Sequence, residues 1–332
     1  MAGNRDHISR RRRKRQRRLQ LRDAGKKGFV MEEICSGLRF PEGPIAMSDG
    51  SVILVEIARG TLSRVTPRGA LEVVADLGGG PNGAAIGPDG AVYVCNNGGF
   101  SWVEIGGRIY PHDRPDDYSG GRIERVDLTT GAVDRLYDTC DDHALVAPND
   151  IVFDRTGGFW FTDLGKSYDR LKDRGAVYYA KPDGSHIEQM VFPIETPNGI
   201  GLSPDENTVY VAETQGGRLW GFDIESPGKL KPPAQALPSA FVASPAGLNY
   251  FDSLAVEADG TVAVATIANG GISRISPKDG SIVHVPSDDG MTTNICFGGE
   301  DLRTAYITLS STGRLVKTQW DAPGLPLNFL NL

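Results

Sequence analysis

The sequence predicts an all-β chain folded as a six-bladed β-propeller, on three observations: short β-branched and aromatic runs, dense Gly and Pro punctuation, and a block that recurs six times. Of 332 residues, 42 are Gly and 21 are Pro. They interrupt the chain too often for long helices, and they bound apolar runs of four or five residues. In chain order these runs are Ser51 to Val55, Ala91 to Val94, Gly158 to Phe161, Thr208 to Val211, Thr261 to Val264 and Thr304 to Ile307. Val, Ile, Thr, Tyr, Phe and Trp recur in them, and such side chains fit a pleated, half-buried surface.

A similar block precedes each run: a polar residue, a short apolar strand, then an Asp/Gly turn. The first three run from Glu42-Gly43-Pro44 to Asp49-Gly50, from Asn82-Gly83-Ala84 to Asp89-Gly90, and from Asn149-Asp150-Ile151 to Thr156-Gly157. The others begin at Asn198-Gly199-Ile200, Asp252-Ser253-Leu254 and Asn294-Ile295-Cys296 and end at Asp205, Asp259 and Asp301. Successive leading residues lie 40, 67, 49, 54 and 42 positions apart. Repeats of roughly 40–50 residues suit four-stranded blades.

The innermost strand of every blade runs beside the central channel, so the six leading residues form a ring around it. They are Glu42, Asn82, Asn149, Asn198, Asp252 and Asn294, with no apolar member. Asn and Asp also favour turns and strand starts, but Glu does not, so Glu42 points to chemistry. Carboxylate and amide oxygens suit a hard cation, and Ca²⁺ takes 6–8 oxygen ligands. No thiolate or paired-His set favours zinc, and no local EF-hand loop is present, so such a site must be assembled from distant residues.

Phe40-Pro41-Glu42-Gly43-Pro44, Ala147-Pro148-Asn149-Asp150, Thr196-Pro197-Asn198-Gly199 and the Asp252 block resemble the SMP-30/gluconolactonase/LRE-like family. So do Gly121-Arg122-Ile123-Glu124-Arg125-Val126-Asp127 and Asn294-Ile295-Cys296-Phe297-Gly298-Gly299. The likeness runs from about Met31 to Arg314 and leaves out the N-terminal segment. It implies a propeller with one divalent cation at the channel mouth, usually Ca²⁺, with Zn²⁺, Mn²⁺ and Mg²⁺ as alternatives. The implied ligands are Glu42, Asn149, Asn198 and Asp252. Asn82 and Asn294 are ring positions outside the usual ligand set, read as supporting or strand-start residues.

The implied activity is hydrolysis of a lactone, with relatives acting on phosphoesters or phosphorus–fluoride bonds. A bound cation polarises the carbonyl and stabilises the oxyanion, and Asp252 is either general base toward water or the nucleophile itself. The rival readings are a phosphotriesterase-type hydrolase, a non-enzymatic Ca²⁺-binding propeller, and a metal-independent propeller; the last predicts no carboxylate pair on the ring. No Gly-x-Ser-x-Gly elbow, phosphate-binding Gly-x-x-x-x-Gly-Lys loop or His-Glu-x-x-His pair occurs.

Substrate choice is expected in the longest interval, between Asn82 and Asn149. Asn97, Trp102, Tyr110, His112 and Arg114 there suit a lid over an anionic or ring-shaped substrate, and His143 is a candidate for the channel mouth. Sugar-lactone members of the family commonly carry Arg two residues before the equivalent of Asn149. Ala147 stands there in this chain, so a less polar lactone is expected.

Residues 1–28 hold twelve basic residues and two acids, leaving 23 basic and 40 acidic residues after Gly28, a net −17. A body so acidic repels phosphate backbones and anionic lipid, so the folded part is expected to bind neither nucleic acid nor membrane. Residues 1–30 read as a disordered basic tail and 31–332 as the propeller domain, because Ser9 to Arg22 cannot bury enough apolar surface to offset ordering entropy. Met31 stands directly before patterned sequence and is a candidate translation start. Four cysteines without a Cys-x-x-Cys pair, and no secretory signal, suggest free thiols in a reducing cytoplasm.

Overall fold

The computed structural model describes residues 29–232 and 237–332; the Arg-rich segment expected as a tail lies outside them. Four-stranded antiparallel sheets follow one another along the chain. The first blade comprises Pro41–Ala46, Val52–Glu56, Thr61–Val65 and Leu71–Asp76. Pro81–Ile86, Val92–Asn96, Arg122–Val126 and Val133–Tyr137 form the second, and Pro148–Phe153, Phe159–Asp163, Gly175–Ala180 and Ile187–Ile194 the third. The fourth has Pro197–Leu202, Thr208–Glu213, Arg218–Ser226 and Phe241–Ala243, with Lys229–Leu230 at its edge. Tyr250–Val256, Val262–Ile267, Gly271–Ile275 and Ile282–Pro286 form the fifth.

The sixth blade takes Thr292–Gly298, Thr304–Leu309 and Arg314–Gln319 from the C-terminal end, and its outermost strand, Glu32–Ser36, from the beginning of the described chain. This pairing closes the ring without an exposed seam between first and last blades. The innermost strands touch in cyclic order, each packed on the next and the last on the first. The six-bladed propeller predicted from the repeat is therefore the observed fold.

Burial follows the same logic. The second strand of the first blade, Val52–Glu56, is buried at every residue, whereas Leu71–Asp76 at the rim is largely open. A strand sandwiched between neighbouring blades has both faces covered and reads as a continuous apolar run. Tyr93, Phe153, Phe159, Phe161 and Tyr178 fill the interface between second and third blades, with Phe161 stacked on Tyr178 at 5.0 Å between centroids. All four cysteines are buried and unpaired. No helix of the described residues is long and apolar enough to cross a membrane.

Candidate active site

One mouth of the channel is a cavity of about 410 Å³, and Glu42, Asn82, Asn149, Asn198 and Asp252 all line it. Each follows Pro41, Pro81, Pro148, Pro197 or Phe251, and the strand pairing slips after Glu42 in the first blade and directly after the Pro or Phe in the other four. Pro81 faces Asn96 but Ala84 faces Val94; the same three-against-two count recurs at Pro148/Ile151, Pro197/Ile200 and Phe251/Leu254. Such a bulge re-aims the side chain of the extra residue, and it lies at equivalent points in the second to fifth blades. At Gly43, Gly83 and Gly199, next in sequence in three of the blades, the close approach of neighbouring inner strands leaves no room for a side chain. A Cβ at Gly83 would lie 2.5 Å from the Asn149 carbonyl oxygen and from Asp150 Cα.

The sixth ring position departs from the sequence register. Thr292 faces Leu309 and Asn294 faces Thr308, so Thr293 is the looped-out residue and Asn294 sits one place further along. The strand Thr292–Gly298 has seven residues against six in Pro41–Ala46, and counting back from the Asp turn misplaces the ring by that one. Asn294 lines the opposite end of the channel, a separate cavity of about 600 Å³ that Leu325, Leu327 and Leu330 help to line. Its Nδ2 nevertheless donates to Glu42 Oε2 at 2.7 Å.

Asp150 escaped the sequence reading. It occupies the same place in the third blade as Asn294 in the sixth: Asp150 Oδ1 accepts from Ile151 N at 2.9 Å, and Asn294 Oδ1 from Ile295 N at 2.7 Å. The signal was available, because the first, second and fourth blades carry Gly at that position. Three carboxylates thus crowd the buried centre. Burial pushes Glu42 up to about 7, against the opposing pull of the Asn294 amide. Burial and then the Glu42 charge push Asp150 up to about 7 and Asp252 well above its ordinary range.

Asn149 Oδ1 and Asn198 Oδ1 are buried with no hydrogen-bond partner. Asn198 Nδ2 donates to Thr214 Oγ1 at 3.1 Å, leaving its oxygen free. A buried acceptor without a donor costs about 1–3 kcal/mol, and a cation relieves both this cost and the carboxylate repulsion. Among the described residues no three of His, Cys, Asp and Glu form a metal cage. A cation at the mouth therefore needs the two amides beside Glu42 and Asp252, and that oxygen set fits a hard ion.

Of the expected substrate-binding residues, only His112 lines the mouth. Asn97 is buried beneath the lid segment, its Oδ1 accepting from Lys166 Nζ at 3.1 Å and from Gly99 N at 2.9 Å. Trp102 packs on Phe40 at 5.1 Å, and Tyr110 sits opposite Val103 in the same hairpin. Arg114 lies over the rings of Tyr118 and Tyr168. The placement of His143 at the mouth is corrected: it is exposed and meets Tyr178 Oη at 3.2 Å, on the third strand out from the channel. Lys166, not singled out by sequence, is 2% exposed and holds its Nζ 2.6 Å from Gly99 O and 3.3 Å from the Phe100 ring centroid. Burial brings it down to about 7, with Asp163 pulling the other way. The cavity wall is apolar at Phe40, Ile57, Phe100, Leu164, Ile267 and Met291.

The profile of the SMP-30/Gluconolactonase/LRE-like region matches residues 40–311. Lactonase drp35 of Staphylococcus saprophyticus is 27% identical over 264 residues, 78% of this chain and 70% of that protein. Gluconolactonase of Zymomonas mobilis is 24% identical over 317 residues, 87% of this chain and 81% of its own. Among solved structures, regucalcin of Agrobacterium tumefaciens, described as a calcium-binding protein, superposes with a TM-score of 0.70 at 17% identity, covering 92% of this chain and 98% of that one. That likeness shows the fold alone.

Proposed function

The chain belongs to the SMP-30/gluconolactonase/LRE-like family, and from that premise we propose that it is a hydrolase that opens a lactone ring with one divalent cation, Ca²⁺ foremost. The observation that carries the reading is the pair of unpartnered buried oxygens, Asn149 Oδ1 and Asn198 Oδ1, in the cavity that also holds Glu42 and Asp252. The names lactonase and gluconolactonase among its relatives support the reaction class, and a calcium-binding neighbour in fold supports the ion.

Glu42, Asn149, Asn198 and Asp252 would hold the cation. When bound, it would polarise the lactone carbonyl and stabilise charge developing on its oxygen. Asp252 acts as general base, taking a proton from the attacking water at a carboxylate oxygen. Water adds across the acyl C–O bond, giving a carboxylate and a free hydroxyl. The apolar wall around Phe40, Phe100 and Met291 covers the hydrocarbon part of the ring and keeps bulk water off it.

The test is pH-stat hydrolysis of a panel from gluconolactone to aliphatic and aromatic γ- and δ-lactones, on metal-stripped protein and again after adding Ca²⁺. Turnover that requires the cation and disappears in a folded Asp252→Ala variant supports the proposal. Tight Ca²⁺ binding with no turnover on any lactone replaces it with a non-enzymatic binding propeller.

A further inference from the structure

Lys172 lines the same mouth as Glu42 and Asp252, from the short hairpin formed by Ser167–Tyr168 and Leu171–Lys172. The residue is half-buried, while its Nζ is closed off from solvent and has no hydrogen-bond partner. Burial lowers its pKa, with Glu195 and Glu213 pulling the other way. Yet the nearby acids have other ties. Glu213 Oε1 accepts from Arg218 at 2.7 Å and Oε2 from Trp220 Nε1 at 2.8 Å. Asp173 binds Tyr168 Oη and Lys166 N, and Glu195 Oε1 lies 3.3 Å from Arg174. Glu195 Oε2 is buried and unpartnered, but Glu195 does not line the cavity, whereas Lys172 does.

An ammonium shielded from water without a partner is unfavourable, and an anion in the cavity removes that cost with a charge-assisted hydrogen bond. The same cavity offers apolar Phe40, Phe100 and Met291, suited to ring carbons, beside polar Asn82, His112, Thr214 and Gln215. We propose that Lys172 recognises a carboxylate carried as a substituent on the lactone, so that the substrate is a lactone of a dicarboxylic acid. This rests on the lactonase reading above and names the substrate class of that same site.

The experiment compares a γ-lactone bearing a carboxylate with its uncharged carboxamide, on Ca²⁺-loaded wild type, Lys172→Met and Lys172→Arg. In Lys172→Met the carboxylate lactone is expected to lose about 10- to 100-fold in kcat/KM, mainly through KM, with the carboxamide within two-fold of wild type. Lys172→Arg retains most of the preference. Equal losses on both substrates, or none on either, overturn the proposal; the former assigns Lys172 to holding the hairpin through Glu195. A wild type that opens other lactones but not the carboxylate one overturns this proposal and leaves the lactonase reading intact. Calorimetry with glutarate, a dicarboxylate the size of an opened ring, gives a readout independent of turnover. Equal glutarate affinity in wild type and Lys172→Met overturns the proposal and a 10-fold weaker affinity in the variant supports it, whereas a protein that opens no lactone at all overturns it together with the lactonase reading.

Discussion

The Asn294 amide donates to Oε2 of Glu42 at 2.7 Å, joining residues 252 positions apart where the sixth blade meets the first. The same Oε2 accepts from Gly43 N at 2.8 Å, so one carboxylate oxygen is fixed from two blades. Closure of the propeller and orientation of a candidate ligand are therefore one event. A hydrogen bond to a charged group contributes about 1.5–3 kcal/mol, and Asn294→Ala removes it while leaving the proposed ligands in place. Ca²⁺ affinity is expected to fall about ten-fold by calorimetry, with the Asp252 base untouched. An unchanged Kd would separate blade closure from the site.

Acidity supplies a second expectation. Glu42 and Asp150 are raised to about 7 in the metal-free protein, against ordinary values of 4.5 and 3.8. Between the two values the folded state holds protons that the unfolded chain releases, so stability falls as pH rises. Metal-stripped protein should be most stable below about pH 4 from these groups and lose that stability as pH passes 7. Ca²⁺ favours the ionised carboxylates, so its stabilising effect grows over the same window. Thermal melts at pH 5 and pH 8, with and without Ca²⁺, check this. A metal-free Tm that rises across that interval contradicts it.

The sequence was legible where structure repeats. Six polar-strand-turn blocks sufficed for blade count and for the residues that lead the first five innermost strands, because a bulge lies at or just after each. It was illegible where geometry breaks the repeat. One extra residue in Thr292–Gly298 shifted Asn294, and no periodicity reveals it. Glu32–Ser36 pairs with Arg314–Gln319 across nearly the whole chain, a partnership that local pattern does not encode. His143 sits close to Asn149 in sequence yet meets Tyr178, because it belongs to a short hairpin of its own, Thr139–Cys140 with His143–Ala144. Lys166 carries no local signal in the sequence, and only the fold sets it against Asn97 and Phe100.

Gly83 tests how tightly the inner strands must converge. A Cβ there meets backbone atoms of Asn149 and Asp150 at 2.5 Å, and backbone cannot swing aside as a side chain can. Gly83→Ala is expected to cost about 1–3 kcal/mol as overpacking. It should also move Asn149, so Ca²⁺ affinity drops together with Tm. A variant that melts lower but binds Ca²⁺ as wild type does would show that Asn149 is positioned by other contacts.

Lys166 ties the inserted segment of the second blade to the third. Its Nζ bonds Asn97 Oδ1 at 3.1 Å and Gly99 O at 2.6 Å and lies over Phe100, which is part of the cavity wall. Lys166→Met keeps the stem and removes the donors, so Gly99 O loses its Lys166 partner and Asn97 Oδ1 keeps only Gly99 N. The segment from Asn97 to Phe100 should open more often, so its amides exchange faster with solvent deuterium and KM rises several-fold. Ca²⁺ affinity should stay within two-fold, because none of the four candidate ligands touches this contact. That combination distinguishes a positioning role from general loss of fold, which would raise exchange throughout the propeller and weaken the cation as well. If exchange at Asn97 to Phe100 stays at the wild-type rate, the wall is held by the packing of Trp102 on Phe40 and Phe100 instead.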